Sequence, residues 1–171
     1  MGLAPPHERP AAVGRPGGLV KTRKIICLDF DGVLHPTAEG GQRLDVTHFG
    51  WLPHLERLLV SHAEVEILVH STWRHQFNLE ELRLLLGGML GPRVVAAAPA
   101  SDARWWAIEA WVAEQTEAVD LLILDDAPAE FPASMPYLLV VCDSARGLSD
   151  PVVQQAIHCW LNRGQEREAL T

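Results

Sequence analysis

The sequence predicts an α/β domain in which a parallel sheet of five strands has helices on both faces. From residue 24 onward, short apolar segments alternate with amphipathic ones, and alternating strands and helices are typical of parallel sheets. The apolar segments are nearly continuous, as expected of strands that are buried on both faces. With 171 residues and a hydrophobic content of 48%, the chain is expected to form one domain with a sizeable core.

Five short apolar runs are predicted to form the strands. The first, residues 25–28, leads directly into the sequence DFDG. The others lie in EVEILVHS, RVVAAAP, DLLILDD and YLLVVCD, of which RVVAAAP has the weakest pattern.

Four segments are predicted to form helices: WLPHLERLLVSH, NLEELRLLLGGMLGP, SDARWWAIEAWVAEQ and DPVVQQAIHCWLNRG. In the second helix, Asn78 is a suitable N-cap and Gly87 a suitable end. The third helix is expected to be capped by Ser101 or Asp102, because a short polar side chain can accept a hydrogen bond from the first turn.

The composition changes at both ends of the predicted domain. Residues 1–20 are rich in proline, glycine and alanine and are predicted to form a disordered leader. The domain itself is expected to span residues 21–165, with a polar tail at 166–171.

The chain is expected to be cytoplasmic and not to bind membranes. No apolar run reaches the ~18 residues that a membrane-spanning helix requires, and the N-terminus lacks the apolar segment of a signal peptide. The three cysteines, Cys27, Cys142 and Cys159, do not have metal-binding spacing and are expected to be buried thiols in a reducing compartment.

Polar residues follow the predicted strands at the edge of the sheet where open α/β proteins bind ligands. In chain order they are Asp29 and Asp31, then Ser71, Thr72 and Arg74, then Asp125 and Asp126, and finally Asp143. Asp143 is expected to start a turn or a helix and not to bind a ligand. The gathering of the others at one edge is the strongest functional signal in the sequence.

Asp29 and Asp31 indicate a cation site. Residues two apart on an extended chain face the same way, so their carboxylates repel each other unless a cation lies between them. Asp126, at the end of a neighbouring strand, can complete a site of oxygen ligands. Such a site suits Mg²⁺, which also binds the oxygens of a substrate phosphate.

Three of these segments resemble the motifs of the haloacid dehalogenase-like (HAD) phosphatases. DFDGVL resembles their first motif, ILVHSTWR the second and LLILDD the fourth, in the same order along the chain. DFDGVLHP, STWR and a late GLS also resemble a subgroup of small bacterial HAD domains, some of them likened to RNA-repair proteins. The resemblance covers about residues 24–162 and implies a three-layer, Rossmann-like fold without a cap domain.

The resemblance implies the roles of the four aspartates. Asp29 would be the nucleophile that forms an aspartyl-phosphate, and Asp31 the general acid and base. Mg²⁺ would be bound by the Asp29 side chain, the Asp31 backbone carbonyl and Asp126, with support from Asp125.

The resemblance also implies which residues bind the phosphate. Ser71 would donate a hydrogen bond to it, with Thr72 as the alternative. Gly32 fits a tight turn in which a side chain would crowd the phosphate. The third motif usually supplies a lysine, and Arg104 is the best candidate to replace it, with Arg74 as a second possible phosphate ligand.

Aromatic and histidine residues near the motifs have structural and functional interpretations. The three tryptophans of the third helix, Trp105, Trp106 and Trp111, are expected to lie in the core and not to stack on bases. For Trp51 and Trp73 a structural role is likewise favoured over substrate contact. His35 either lines the pocket or is a loop residue, and His70, which faces away from Ser71, is expected to be structural.

The function predicted is a Mg²⁺-dependent phosphomonoester hydrolase that acts on a phosphorylated substrate. About 40 residues separate Asp31 from Ser71 and about 33 separate Ser71 from Arg104, and helices and strands occupy both intervals, so no cap domain fits. An open site suits a large or accessible substrate such as a nucleic-acid end, a nucleotide or a phosphoprotein. The net charge of -8 does not support nucleic acid, although a patch of Arg74, Arg93 and Arg104 would favour it.

Two alternatives remain beside this function. A non-catalytic phosphate-binding or protein-interaction module would retain the fold, but the intact Asp29 and Asp31 argue against it. A haloacid dehalogenase would need neither the metal nor Asp31. The sequence does not indicate an oligomeric state.

Overall fold

The computed structural model describes residues 22–37 and 49–163. Within them, five parallel strands form one sheet in the order β3-β2-β1-β4-β5. The strands are β1 (Arg23–Leu28), β2 (Glu66–Val69), β3 (Val94–Ala97), β4 (Val119–Asp125) and β5 (Leu138–Val141). The helices are α1 (Leu52–Leu59), α2 (Leu79–Leu85), α3 (Gly87–Leu90), α4 (Arg104–Ala113) and α5 (Pro151–Leu161). The predicted α/β fold with a five-stranded parallel sheet is confirmed.

Alternate residues of the strands pack against opposite layers of helices. In β1, Ile26 and Leu28 belong to the core shared with α1, α2 and α5, whereas Ile25 and Cys27 belong to the core shared with α4. All four side chains are fully buried. Since side chains of a strand alternate between its two faces, a continuous apolar run is required when both faces are covered.

Two details of the helices differ from the prediction. The segment from Asn78 forms two helices, because Gly87 has a φ of +74° and interrupts the first. Asn78 caps α2 in a reciprocal pair of hydrogen bonds with Glu81, as expected. Neither Ser101 nor Asp102 caps α4, whose N-cap is Ala103 with no side-chain hydrogen bond.

No cap domain interrupts the described part of the chain. Between β2 and α4 the residues form a 3₁₀ turn at Thr72–His75, α2, α3 and β3, which leaves no room for an inserted domain. Between β1 and α1, residues 38–48 lie outside the described residues and are too few to form a domain of their own.

The remaining expectations concern the cysteines and the chain ends. Cys27 and Cys142 are buried, but Cys159 is exposed on α5, so the expectation of three buried thiols is wrong for it. Burial raises the pKa of Cys142 to about 12.

None of the helices in residues 22–37 and 49–163 combines the length and apolar character needed to cross a membrane. The predicted leader and tail lie outside the described residues, so that division of the chain stays a prediction.

Candidate active site

The predicted site residues meet at the carboxyl ends of β1 and β4, where the strand order reverses. Asp29 directly follows β1, and its N–H donates to the Leu124 carbonyl of β4 at 3.1 Å. His70 directly follows β2, and its N–H donates to the Leu28 carbonyl at 3.1 Å. These ladder bonds bring Asp29, His70 and the end of β4 to one level. Crevices at such switch points are the usual ligand sites of open α/β sheets.

Asp29 is held in one orientation by two donors. Its side chain is 1% exposed, and Oδ1 accepts a hydrogen bond from the Phe30 N–H at 2.8 Å. Oδ2 accepts a short hydrogen bond from Arg104 Nη1. Burial raises the pKa of the Asp29 carboxyl, and the positive charge of Arg104 acts in the opposite direction.

Arg104 bridges two buried carboxylates. It is the first residue of α4, and its Nη1 donates to Asp125 Oδ2 at 2.6 Å as well as to Asp29. Its burial lowers the pKa of the guanidinium, but the two carboxylates outweigh that effect and raise it. The residue suggested for the third motif is therefore in contact with the predicted nucleophile.

Asp125 has the most hydrogen bonds of the three clustered carboxylates. Oδ2 lies 2.8 Å from His70 Nε2 and also accepts from Arg104, while Oδ1 accepts from the Ala127 N–H at 2.7 Å. Burial acts to raise the pKa of this carboxyl, but the contacts from His70 and Arg104 lower it. Asp125 thus holds Arg104 in place.

His70 belongs to the site although its side chain was expected to be only structural. It is fully buried, and its side chain contacts Asp125 Oδ2 through Nε2 at 2.8 Å. Facing away from Ser71 does not remove it from the site, because the acid at the end of β4 lies on that side. The signal available in the sequence was its position immediately after a central strand.

Three carboxylates form a cluster that fits a divalent cation. One oxygen each from Asp29, Asp125 and Asp126 lies within 4.8 Å of the others. Burial raises the pKa of Asp126, and the negative charges of Asp29 and Asp125 raise it further. Such crowded carboxylates suit a hard cation with oxygen ligands. Asp125 accepts three hydrogen bonds, Asp29 two and Asp126 one, so Asp126 and Asp29 keep more free lone pairs than Asp125.

Glycine is required at position 32 by the backbone conformation there and by the neighbouring Asp126. Its φ is +71°, and a Cβ placed there would lie 2.1 Å from Asp126 Oδ2. The crowding was expected against the phosphate, but the structure places Asp126 against this glycine instead. Gly32 therefore makes the space that the Asp126 carboxylate occupies.

The Asp31 side chain turns away from the carboxylate cluster. Oδ2 accepts a hydrogen bond from Trp73 Nε1 at 2.9 Å, and Oδ1 lies 3.3 Å from His35 Nε2. Trp73 and His35 are both buried. Of the two interpretations of Trp73, the structural one is therefore favoured, and His35 borders the Asp31 carboxylate.

The residues after β2 have different environments. Ser71 is fully buried, and its Oγ accepts a 3.4 Å hydrogen bond from the Trp73 N–H, whereas Thr72 is exposed. Arg74 donates from its two Nη atoms to the carbonyls of His70, Ser71 and Ser101. Ser71 and Thr72 thus differ in exposure, and the choice between them as phosphate ligand stays a prediction, whereas Arg74 joins β2 to the loop before α4.

Several residues lie away from the site. Arg93 donates to the carbonyls of Leu59 and His62 near the start of β3, at the opposite edge of the sheet, so it does not join Arg74 and Arg104 in the patch that would have favoured nucleic acid. Trp106 is 67% exposed, which contradicts its expected place in the core, while Trp111 is buried. Asp143 accepts a hydrogen bond from the Ala145 N–H in a turn, as expected.

Comparison with known proteins identifies the family. Residues 25–153 match the family model described as the HAD domain in Swiss Army Knife RNA repair proteins. No curated protein and no solved structure was found to match the chain. The matched range contains Asp29, Arg104, Asp125 and Asp126, and it covers β1 from Ile25 onward and the other four strands completely. The chain therefore belongs to this family and is a HAD-like hydrolase domain.

Proposed function

We propose that this domain is a Mg²⁺-dependent phosphomonoester hydrolase that works through an aspartyl-phosphate on Asp29. The observation that carries the proposal is the environment of Asp29, a buried carboxylate that contacts Arg104 and lies beside two further carboxylates. A nucleophile for phosphorus needs a fixed orientation and cations around it, because a carboxylate and a phosphate repel each other.

The chemistry divides between Asp29 and Asp31. An oxygen of Asp29 attacks phosphorus and forms a new O–P bond while the bond to the leaving oxygen breaks. Asp31 gives its proton to that leaving oxygen. Asp31 then takes a proton from water, whose oxygen attacks the phosphorus and releases inorganic phosphate from Asp29. A positioned acid and base contributes about 10²–10⁴-fold to the rate of such a reaction.

The phosphate is bound by Arg104 and Ser71. Arg104 reaches Asp29 with a single nitrogen, Nη1, so its other nitrogen atoms can donate to phosphate oxygens. The Ser71 hydroxyl, at the end of β2, supplies a further donor. Both groups counter the charge that develops on the oxygens during transfer.

The side chains of Asp29 and Asp126 and the backbone carbonyl of Asp31 would hold Mg²⁺, with Asp125 acting through Arg104. The bound ion would supply Lewis-acid stabilisation of the phosphoryl oxygens. The position of the Asp126 carboxylate beside those of Asp29 and Asp125 supports this assignment, since the negative charges of both raise its pKa.

The substrate proposed is a phosphorylated nucleic-acid end, ahead of nucleotides and phosphoproteins. The family description names RNA repair, and a domain without a cap can admit a polymer end. The net charge of -8 and the remote position of Arg93 predict recognition of the end itself and not of a long stretch of backbone. We further propose a cytoplasmic location.

Hydrolysis assays with the purified chain test the activity. We expect turnover of 4-nitrophenyl phosphate with Mg²⁺ and none with EDTA. Asp29→Asn is the matched variant, because the amide keeps the shape of the side chain and removes its nucleophilicity. RNA oligonucleotides with a 5′- or 3′-phosphate would then be compared with nucleotides and phosphopeptides.

A binding assay separates a poor small substrate from an inactive site. Beryllium fluoride with Mg²⁺ mimics an aspartyl-phosphate and should raise the Tm of the wild-type chain but not of Asp29→Asn. If neither turnover nor this Tm shift were seen, a non-catalytic phosphate-binding module would become the better explanation.

A further inference from the structure

Trp73 is hydrogen-bonded to the carboxylate of Asp31, the proposed general acid and base. Its side chain is 4% exposed, and its indole N–H donates to Asp31 Oδ2 at 2.9 Å. An indole nitrogen can donate a hydrogen bond but cannot accept one. The contact therefore orients the carboxyl group. Since the indole nitrogen cannot accept a proton, Asp31 cannot transfer its proton in that direction.

The indole ring is itself held by packing. Phe77 stacks on it with ring centroids 5.6 Å apart, and Phe30 meets it edge-on at 5.7 Å. Trp73 also lies in the 3₁₀ turn that begins after Ser71, whose Oγ accepts its backbone N–H. One turn thus fixes both a phosphate donor and the partner of Asp31. Aromatic packing of this kind leaves the ring little freedom to move.

We propose that Trp73 is a positioning residue that aligns Asp31 for proton transfer to the leaving oxygen of the substrate. This inference rests on the proposed phosphatase function. Asp31 passes the proton from a lone-pair direction that the indole does not occupy, as the bond between phosphorus and the leaving oxygen breaks. The Asp31 side chain is 27% exposed although His35 Nε2 lies 3.3 Å from its Oδ1, so part of the carboxyl group is open to solvent.

The proposal predicts a dependence on the leaving group. An alkoxide is a poor leaving group and needs a proton from the acid, whereas 4-nitrophenolate leaves readily without one. A badly oriented Asp31 should therefore slow alkyl esters far more than 4-nitrophenyl phosphate. A loss of general stability or of phosphate binding would slow both esters alike.

The test compares Trp73→Phe with the wild type on glycerol phosphate and on 4-nitrophenyl phosphate. We expect kcat for the alkyl ester to fall by about 10–100-fold, part of the 10²–10⁴-fold that a general acid provides, and kcat for the aryl ester to change by less than about threefold. The KM of both esters should stay near the wild-type value. Phe77→Leu is the matched control, since it loosens the same aromatic packing but leaves the indole N–H, and it should not alter the ratio of the two rates.

A double-mutant cycle shows whether Trp73 acts through Asp31. In an Asp31→Asn background, Trp73→Phe should not lower kcat for the alkyl ester any further, because the carboxyl group that Trp73 orients is absent. If Trp73→Phe does not fold, the indole at position 73 can be replaced by benzothiophene, a ring of the same shape without the N–H, and the same selective loss is expected.

The outcomes separate this inference from the function on which it rests. A wild type that hydrolyses neither ester would overturn the phosphatase proposal and this inference with it. A wild type that hydrolyses both, with a variant that loses both to the same extent or adds its loss to that of Asp31→Asn, would overturn the role of Trp73 alone.

Discussion

Replacing Gly32 by alanine tests the central contact of the site. The new Cβ would lie 2.1 Å from Asp126 Oδ2, 2.5 Å from Cγ and 2.8 Å from Cβ of the same residue. Since Cβ contacts shorter than 3.0 Å essentially never occur, the carboxylate has to retreat by about 1 Å. The backbone at Gly32 also has a φ of +71°, in the left-handed region that favours glycine.

The expected effects on stability and activity follow from these two features. A side chain in the left-handed region costs about 1–2 kcal/mol, which corresponds to a fall in Tm of about 2–8 °C for a chain of this size. Moving a group of the active site by about 1 Å can cost about 10²-fold in activity. We therefore expect Gly32→Ala to lose about 10²-fold in kcat/KM and to need more Mg²⁺.

Two other glycines separate backbone strain from the clash. Gly87 has a φ of +74° with no atom within 4 Å of an added Cβ, so Gly87→Ala should lower the Tm through backbone strain alone. Gly88 lies in α3 without a positive φ and with the same open space, so Gly88→Ala should leave the Tm unchanged or raise it slightly. Neither control should alter the Mg²⁺ dependence.

The assays are thermal unfolding with and without Mg²⁺ and initial rates over a range of Mg²⁺ concentrations. The reasoning is refuted if Gly32→Ala keeps the wild-type Mg²⁺ dependence and rate while Gly87→Ala shows the expected fall in Tm. That result would mean that Asp126 does not need its position against Gly32.

Four further substitutions test the electrostatics of the site. Burial and the charges of Asp29 and Asp125 raise the pKa of Asp126, so stability that is present below its ordinary pKa is lost as the pH rises through the folded-state value. Asp126→Asn should therefore raise the Tm in EDTA at pH 7, have no such effect below about pH 4, and abolish any rise in Tm with Mg²⁺; a lower Tm in EDTA at pH 7 would contradict this. Arg104→Met should destabilise the metal-free chain by about 3–5 kcal/mol, because it leaves buried carboxylates unpaired. Arg104→Lys should keep most of that stability, since one nitrogen makes both contacts with the carboxylates, but it should raise KM, because the nitrogens proposed to bind the phosphate are gone; equal losses of stability in the two variants would oppose this reasoning. Arg74→Met should lower the free energy of unfolding by about 1–3 kcal/mol with KM unchanged, whereas a large rise in KM at constant Tm would instead identify Arg74 as a phosphate ligand.

The strands and the positions of the acids could be predicted because they depend on local sequence. An apolar run buried on both faces has few alternatives, so all five strands were recognised from their composition. The residues immediately after β1 and β4 then had to lie at the same edge of the sheet, which placed Asp29, Asp125 and Asp126 near one another. The site followed from the topology of parallel strands.

The N-cap of α4 and the hydrogen-bond partners of the arginines could not be predicted in the same way. Ser101 is a good cap by propensity, but its Oγ accepts from the Ala103 N–H, before the helix begins, and its carbonyl accepts from Arg74. Arg104 at the start of the helix donates to two carboxylates. Arg93 lies before β3 and so reaches the opposite edge of the sheet. Arginines that carry the same charge therefore have different roles, because each long side chain binds the acceptors that the fold brings within its reach.

The sequence by itself determined the fold class, the edge that carries the acids and the family resemblance through its motifs. The tertiary structure decided which of those acids is most available to a cation, since His70 and Arg104 both contact Oδ2 of Asp125 while Gly32 makes room for Asp126. It also decided that Trp73 holds Asp31. These contacts join residues that are far apart in the chain, and hydrogen bonds between them depend on differences of about 1 Å, which no local pattern of residues specifies.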